Sequence, residues 1–335
     1  MISLNNEPCA VCGQTRSLLV QETTYPEHGY PGSFCLRRCT SCGLLFNSPR
    51  LDDTELAQLY GRNYYFFNRP DAAEIARVVP MYQRSVALVS DEVRDKTMLD
   101  VGCGRGYFPA LLKNLGWDAH GLELSAEAAK YATEKFGLQH VFNGTIEQYA
   151  SSERARTFPL VTAIDVIEHV PSPQSFVESL SKVVAPNGLL IIDTPNAAAH
   201  NIKIDGPNWH GFNPFHIFLF TIPNLRTLLA AHGFTVERSF SYHNAPAGQA
   251  HRPFASRMRM RAIELARSTG LIAPAAKLYF KAKRTFAKHG DPKLAMDQAV
   301  KRASEEPDYL KAPDAEDVLA RDATGDNIVV IAKRQ

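Results

Sequence analysis

The sequence predicts an α/β fold: a largely parallel sheet with helices on both faces, a small cysteine-bearing N-terminal unit, and a helical insertion before the last strand. Three observations predict it. Between residues 96 and 244, short apolar runs alternate with helix-period segments of about 10–15 residues, the rhythm of a parallel α/β sheet. A glycine-rich turn follows the first of those runs. Two C-x2-C pairs stand near the N-terminus, and five of the six cysteines fall within the first 42 residues.

The 335 residues suit about two units at roughly 150 residues per domain. Hydrophobic residues make up 45% and charged residues 21%, enough apolar material for a full core, which excludes wholesale disorder. Lys plus Arg is 37 against 35 acids, a formal charge of +2 that argues against a general nucleic-acid binder. No apolar run reaches about 18 residues, so no membrane-spanning helix is expected. MISLNNEPCA lacks the basic start and apolar stretch of a secretory signal, so a cytoplasmic protein is expected.

The elements read in order. Residues 1–50 hold the clustered cysteines. Residues 51–95 read as a helical linker, with Asp52 or Asp53 as a cap and Glu55 in the first turn. The core, 96–244, begins with the strand MLDVG and the helix GYFPALLKNLG, closed by Gly116. The strand AHGLEL, the helix SAEAAKYATEKFG and the strand QHVFNG follow. FPLVTAIDV is a fourth strand, SPQSFVESLSKVVAPNG a helix ending in Pro-Asn-Gly, and LLIIDTP a fifth strand. After an irregular stretch come the helix IPNLRTLLAAHG and the strand FTVERSFSY. Residues 245–325 form the insertion, and NIVVIAKR, within 326–335, closes the sheet.

The turn reads Asp100-Val101-Gly102-Cys103-Gly104-Arg105-Gly106. Glycines between a strand and a helix let backbone approach a ligand closely. Dinucleotide sites favour G-x-G-x-x-G, whereas here the spacing is G-x-G-x-G, Tyr107 takes the third glycine's place, and Asp100 would face a diphosphate. The pattern resembles the class I S-adenosylmethionine (SAM) methyltransferases, whose Rossmann-like sheet carries D-x-G-x-G-x-G as its first motif. The resemblance implies SAM contacts from Asp100, Gly102, Cys103, Gly104 and Gly106, ribose binding by Glu123, adenine contacts from Thr145 and Ile146, and a further cofactor contact from Asp165. A carboxylate at Glu123 suits a vicinal diol. Cys103 is expected to pack as a small residue.

Cys9-x2-Cys12 and Cys39-x2-Cys42, each followed by glycine, place four thiolates for one tetrahedral zinc ion, with Cys35 as a spare. Such a closed site stabilises and does not catalyse. Residues 1–60 carry four Arg, no Lys and six acids, a poor balance for gripping phosphates. The segment CTSCGLLFNSPRLDDTELAQLYGRNYY resembles bacterial methyltransferases that accompany glycan and polysaccharide biosynthesis enzymes. In them, tyrosines after the ribbon tend to cover the cofactor, a role that would fall to Tyr64 or Tyr65, with core packing as the other reading for either.

Methyl transfer needs an aligned nucleophile and often a base. Asp165, Glu168 and His169 after the fourth strand, with His216 beyond the fifth, are the candidates. The pattern D-x-x-E-H, TPN, then His216 resembles the plant small-RNA 2′-O-methyltransferase, in which two glutamates and two histidines bind a divalent ion. Here Asp165 stands at one glutamate's place. Two carboxylates and two imidazoles could hold Mg or Mn. His169 or His216 acting as a base without metal is the competing reading, and plain positioning a third. Trp209 and His210 are expected to shape an acceptor pocket, with plain packing as the other reading.

Between Arg252 and Lys288 stand ten Lys or Arg and one acid, Glu264. This basic helical stretch could touch the inner membrane surface or an anionic acceptor, or simply face solvent. The expected function is SAM-dependent O-methylation of a small-molecule or glycan acceptor, foremost a sugar hydroxyl. A small aromatic or quinone-like acceptor is the alternative, since the D-x-x-E-H region also resembles ubiquinone O-methyltransferases, and RNA comes after it.

Overall fold

The computed structural model describes residues 7–24, 33–50, 54, 75, 92–206, 209, 211–242, 291–305 and 324–335. The expected linker helices, Tyr64, Tyr65, His210 and the basic stretch 252–288 lie outside the described residues.

The main sheet has seven strands: β4 (Thr97–Val101), β5 (Asp118–Glu123), β6 (Val141–Asn143), β7 (Phe158–Ile164), β8 (Val184–Pro195), β10 (Phe234–Tyr242) and β11 (Asn327–Arg334). Their order is β10-β11-β8-β7-β4-β5-β6. Strands β4 to β8 pair in parallel, and β11 runs antiparallel to both neighbours. The chain steps outward from β4 to β6, then returns to β4's other side with β7. The order therefore reverses between β4 and β7, and ligands of such sheets bind at the strand carboxyl ends there.

Alternation along the strands covers both faces. Leu99, Val101, Val161, Ala163, Leu190 and Ile192 point to one core, against helices α3 (Ile146–Ala150), α4 (Pro173–Val183) and α6 (Ile222–Ala230). Met98, Leu160, Leu189 and Ile191 point to the other, against Phe108 and Leu112 of α1 (Tyr107–Asn114). Outside α1 lie α2 (Ala126–Phe136) and α7 (Pro292–Glu305), the described part of the expected insertion, which buries Met296 beside Leu111 and Ala132. Ser125, Thr145, Ser172 and Thr221 cap α2, α3, α4 and α6, each side chain accepting an amide of the first turn.

One boundary differs from the expectation. The fourth helix, α4, stops at Val183, and V-A-P-N-G begins β8. Pro186 offers no amide and disfavours a helical Ala185, and Asn187 turns the chain with φ 60°.

A second, antiparallel sheet has the order β1-β2-β3-β9. Strands β1 (Ser17–Thr24), β2 (Ser33–Cys39) and β3 (Leu45–Ser48) come from the N-terminal unit. The fourth strand, β9 (Phe218–Leu219), comes from the stretch after β8, which is therefore not wholly irregular; it also contains the short helix α5 (Asn201–Asp205). Pairing of Leu45 with Leu219 and Phe46 with Phe218 stitches the cysteine unit to the main domain. The two also share a core, in which Cys9, Val11, Leu44 and Phe46 join Phe218, Phe220 and Leu225.

Of the two readings for Trp209, the structure shows packing. This residue is 1% exposed and packs among Leu36 and Leu45 of the N-terminal unit, Ala199 and Leu219, with Phe212 edge-on at 5.0 Å. Its ring closes over Gly211, where any side chain would collide with it. A residue so enclosed glues two sheets together and offers no face to an acceptor. Trp209→Ala is expected to cost about 3–5 kcal/mol, read by urea denaturation, whereas a pocket residue would lose turnover with little loss of stability.

Candidate active site

The glycine turn occupies the switch point, where β4 hands over to α1. Gly102 has φ 77°, and a Cβ there would stand 2.5 Å from Val166 Cγ2. Gly106, at φ 75°, caps α1 and lets Ala132 and Leu138 of the α2 region pack where a Cβ would lie. The amides of Gly102 and Cys103 both donate to Leu122 O, at 2.8 and 2.9 Å, so the turn is bound to β5. Cys103 is buried, its Sγ against Gly121, and burial first, then the Glu123 and Asp100 charges, push its thiol well above the usual range. It packs, and is no nucleophile.

Glu123 ends β5 beside this turn. Its Oε2 accepts the Gly104 amide at 2.8 Å and its Oε1 the Ser125 amide at 2.7 Å. Burial raises its pKa against the pull of those amides. Each oxygen keeps acceptor capacity for a hydroxyl. Thr145 Oγ1 accepts the Gln148 amide at 3.3 Å, and Ile146 lies in the core. Asp100 is 5% exposed, and Thr162 Oγ1 donates to its Oδ1 at 2.7 Å. Burial raises it to about 7, opposed by the Thr162 hydrogen bond and reinforced by the Glu123 charge.

After β7 the chain makes a tight turn. Asp165 takes φ 53°, its amide donating to Asp193 O at 2.9 Å, and the His169 amide donates to Val166 O. Glu168 is fully buried. Thr194 Oγ1 donates to its Oε2 at 2.8 Å, while Oε1 has no hydrogen-bond partner and lies 3.8 Å from His169 Nε2. His169 Nδ1 donates to Phe215 O and His216 Nδ1 to Gly211 O, both at 2.9 Å, so each ring turns its Nε2 lone pair outward. The rings lie 4.9 Å apart, and one ligating atom each from Glu168, His169 and His216 falls within 4.8 Å of the others. Asp165 stands outside this group, exposed, with Asn327 Nδ2 3.5 Å from its Oδ1. Of the expected four, three bring ligating atoms together, while Asp165 acts on Glu168 through its charge.

The electrostatics assign protonation states. Burial, then the Asp165 charge, pushes the Glu168 carboxyl well above the usual range. Burial pulls His169 down to about 4, only partly offset by its bond to Phe215 O. His169 is therefore neutral near pH 7, a good lone-pair donor and a poor base. Imidazoles whose second nitrogen donates to a backbone carbonyl are the usual arrangement around metal ions, so the three residues fit a divalent cation.

Sequence reasoning missed Asp193, Thr194, Tyr242 and Asn327. Asp193 is 1% exposed, with Asn327 Nδ2 donating to Oδ1 at 3.1 Å and Tyr242 Oη to Oδ2 at 2.9 Å. An acid inside the apolar run LLIIDTP was the available signal. Burial raises Asp193 to about 8, with the Asp165 charge adding and the two hydrogen bonds opposing. Asp100 and Asp193 thus hold protons in the folded state that the unfolded chain has lost above pH 4. Their contribution to stability is full below pH 4 and fades as pH rises through 7 to 8. His169 acts oppositely, losing stability only as pH falls from 6.5 toward 4. The ligand-free protein is therefore expected to lose on the order of 2 kcal/mol between pH 6.5 and 8.5, seen in thermal melts. Asp193→Asn should flatten that slope.

A second set, Asp118, His120 and His140, lies where β5 and β6 begin. Arg156 Nη2 already sits 3.1 Å from Asp118 Oδ2 and 3.0 Å from His120 Nε2, and the imidazoles stack at 4.4 Å and 11°. A resident guanidinium and parallel rings do not make a cation site.

The four cysteines of the two knuckles converge. Cys9 Sγ lies 3.5 Å from Cys42 Sγ, and Cys12 Sγ 3.6 Å from Cys39 Sγ. A tetrahedron with bonds of about 2.3 Å places sulfurs about 3.8 Å apart, so the thiols fit zinc. The knuckles repeat one hydrogen-bond pattern, Cys9 N to Gln14 O with Gly13 N to Cys9 O, and Cys39 N to Leu44 O with Gly43 N to Cys39 O. Burial opposes ionisation of Cys39, but the amides of Cys42 and Ser41 and the nearby thiols bring it down to about 7. Cys35 lies in β2, outside the cluster.

Comparison with known proteins adds to this geometry. Residues 74–239 match the family described as Methyltransferase domain. The mitochondrial ubiquinone biosynthesis O-methyltransferase of Schizosaccharomyces pombe is 35% identical over 103 residues, 30% of this chain and 38% of that protein. The ubiquinone biosynthesis O-methyltransferase of Pectobacterium carotovorum is 27% identical over 157 residues, 45% of this chain and 65% of that one. The chain thus spans less than two thirds of either relative. A solved SAM-dependent methyltransferase from Archaeoglobus fulgidus is 16% identical with a TM-score of 0.47, covering 81% of this chain and all of that one. No described helix is long and apolar enough to cross a membrane. With the switch-point glycine turn and the matched family in agreement, residues 74–239 carry a methyltransferase domain.

Proposed function

We propose that the chain is a SAM-dependent O-methyltransferase acting on a hydroxyl of a small quinone-like or phenolic metabolite, with a structural zinc ion on Cys9, Cys12, Cys39 and Cys42. One observation carries it: the glycine turn and the Glu168–His169–His216 set meet at one switch point, through the close approach of Gly102 and Val166. The names of the matched relatives favour a quinone-type acceptor over the sugar hydroxyl expected from sequence; none of the relatives named here is a glycan enzyme.

SAM supplies an electrophilic methyl group on a sulfonium. In this reading Glu123 holds the ribose diol with its spare lone pairs, and Asp100 lends a carboxyl beside the cationic cofactor. His216 Nε2 is placed to take the acceptor's hydroxyl proton, since His169 is too weakly basic for that. Were Mg or Mn held instead by Glu168, His169 and His216, that Nε2 lone pair would be a ligand and not a base, and the ion itself would make a nearby hydroxyl more acidic.

Purified protein incubated with methyl-labelled SAM and a panel of catechols and nucleotide sugars tests the proposal. Labelled phenol ethers are expected, falling about a hundredfold in Glu168→Gln. Label on sugars alone would restore the sugar reading, and no transfer to any acceptor would contradict the activity.

A further inference from the structure

We infer that Asn47, on the cysteine ribbon, is a positioning residue for His216, so that the ribbon forms the back wall of the reaction centre. That His216 belongs to a reaction centre rests on the proposed function; its positioning by Asn47 rests on geometry.

Asn47 is 1% exposed, in β3, far in sequence from the methyltransferase motifs. Its Nδ2 donates to Asn213 O at 2.8 Å and to His216 O at 2.7 Å. Two carbonyl acceptors fix which end of the amide faces them. Its backbone amide donates to Ile217 O at 2.9 Å. Within the turn, Asn213 Oδ1 accepts the amides of Phe215 and His216 at 3.0 and 3.1 Å. On the turn's other side, His169 Nδ1 donates to Phe215 O and the Phe218 amide to Glu168 O. Residues 213–218 are therefore clamped between β3 of the ribbon and the D-x-x-E-H segment. Asn47 supplies two side-chain hydrogen bonds to the turn from the ribbon side.

Both donors are spent on the backbone that aims one imidazole. Without them, the Asn213 carbonyl keeps the longer bond from the His216 amide at 3.3 Å, the His216 carbonyl loses the Asn47 donor, and the turn is expected to shift. The His216 ring is tied to the Gly211 carbonyl, and its orientation shifts with the turn. A displacement near 1 Å is enough to matter for a reacting group.

The test is histidine-selective NMR on the full-length zinc-loaded protein, with ring carbons labelled and His216 assigned by a His216→Gln variant. Val11→Ala, which truncates the core that the ribbon shares with Phe218 but removes no side-chain hydrogen bond to the turn, serves as the control. Asn47→Ala is expected to move the His216 ring resonances, to leave the dissociation constant for SAM within about threefold by calorimetry, and to retain its zinc. The control should leave those resonances in place. Unmoved His216 resonances in Asn47→Ala, or equal movement in Val11→Ala, would overturn the inference. Should Asn47→Ala not fold, Asn47→Ser, which keeps one donor of two, carries the same comparison. These readouts need no acceptor, so they fail or succeed separately from the proposed activity. With a phenol acceptor in hand, kcat is expected to fall tenfold or more in Asn47→Ala with KM for SAM unchanged.

Discussion

Gly102→Ala is expected to weaken SAM binding at least about a hundredfold, roughly 2.7 kcal/mol. Two independent costs add there. The residue holds φ 77°, a conformation that costs an L side chain about 1–2 kcal/mol. The new methyl would also stand 2.5 Å from Val166 Cγ2. Val166 sits in the tight turn that also carries Asp165 and Glu168, so its retreat displaces the reaction centre as well. The double variant Gly102→Ala/Val166→Ala removes the collision and leaves the backbone strain. Partial recovery of affinity is the expected result, and full recovery would show that the left-handed conformation is not needed.

Removing zinc is expected to have the second large effect. Binding at a four-thiolate site contributes about 10–16 kcal/mol to folding, comparable to the whole stability of a domain. Chelation, or Cys39→Ser, should therefore unfold β1 to β3. The damage would not stop there. Leu45 and Phe46 pair with Leu219 and Phe218, and Asn47 holds the Asn213–His216 turn, so the His216 side of the centre loses its support. The glycine turn is bound instead to β5, through the Leu122 carbonyl. Chelated protein should thus bind SAM within a few-fold of normal while transferring methyl at least about a hundredfold more slowly. Metal analysis together with calorimetry checks both halves. Protein that contains no zinc yet keeps the ribbon folded would contradict the assignment.

The sheet from β4 onward was legible because period-2 and helix-period runs alternate there with capped helices and glycine stops such as Gly116 and Gly137. The four clustered thiols were legible from spacing alone. What escaped the sequence lies in long-range pairing. β9 is two residues long, too short for any periodicity, and its partner β3 is distant in the chain. Trp209 stands in a polar, loop-like stretch, so nothing local shows that Leu36 and Leu45 enclose it. Asn47 has the same character: its role exists only once β3 meets β9. Asp165 falls outside the three-residue cluster, which spacing alone does not reveal, since it takes φ 53° at the tight turn. Asp193 was visible as an acid within an apolar run, yet its partners Asn327 and Tyr242 come from two later strands.

The most direct test is calorimetric titration of SAM into zinc-loaded protein, with Gly102→Ala alongside. One SAM per chain, with binding lost in the variant, is the expected result and ties the cofactor to the switch-point glycine turn. Folded, zinc-loaded protein that gives no heat of binding, or a variant that binds as well as the native chain, would contradict it.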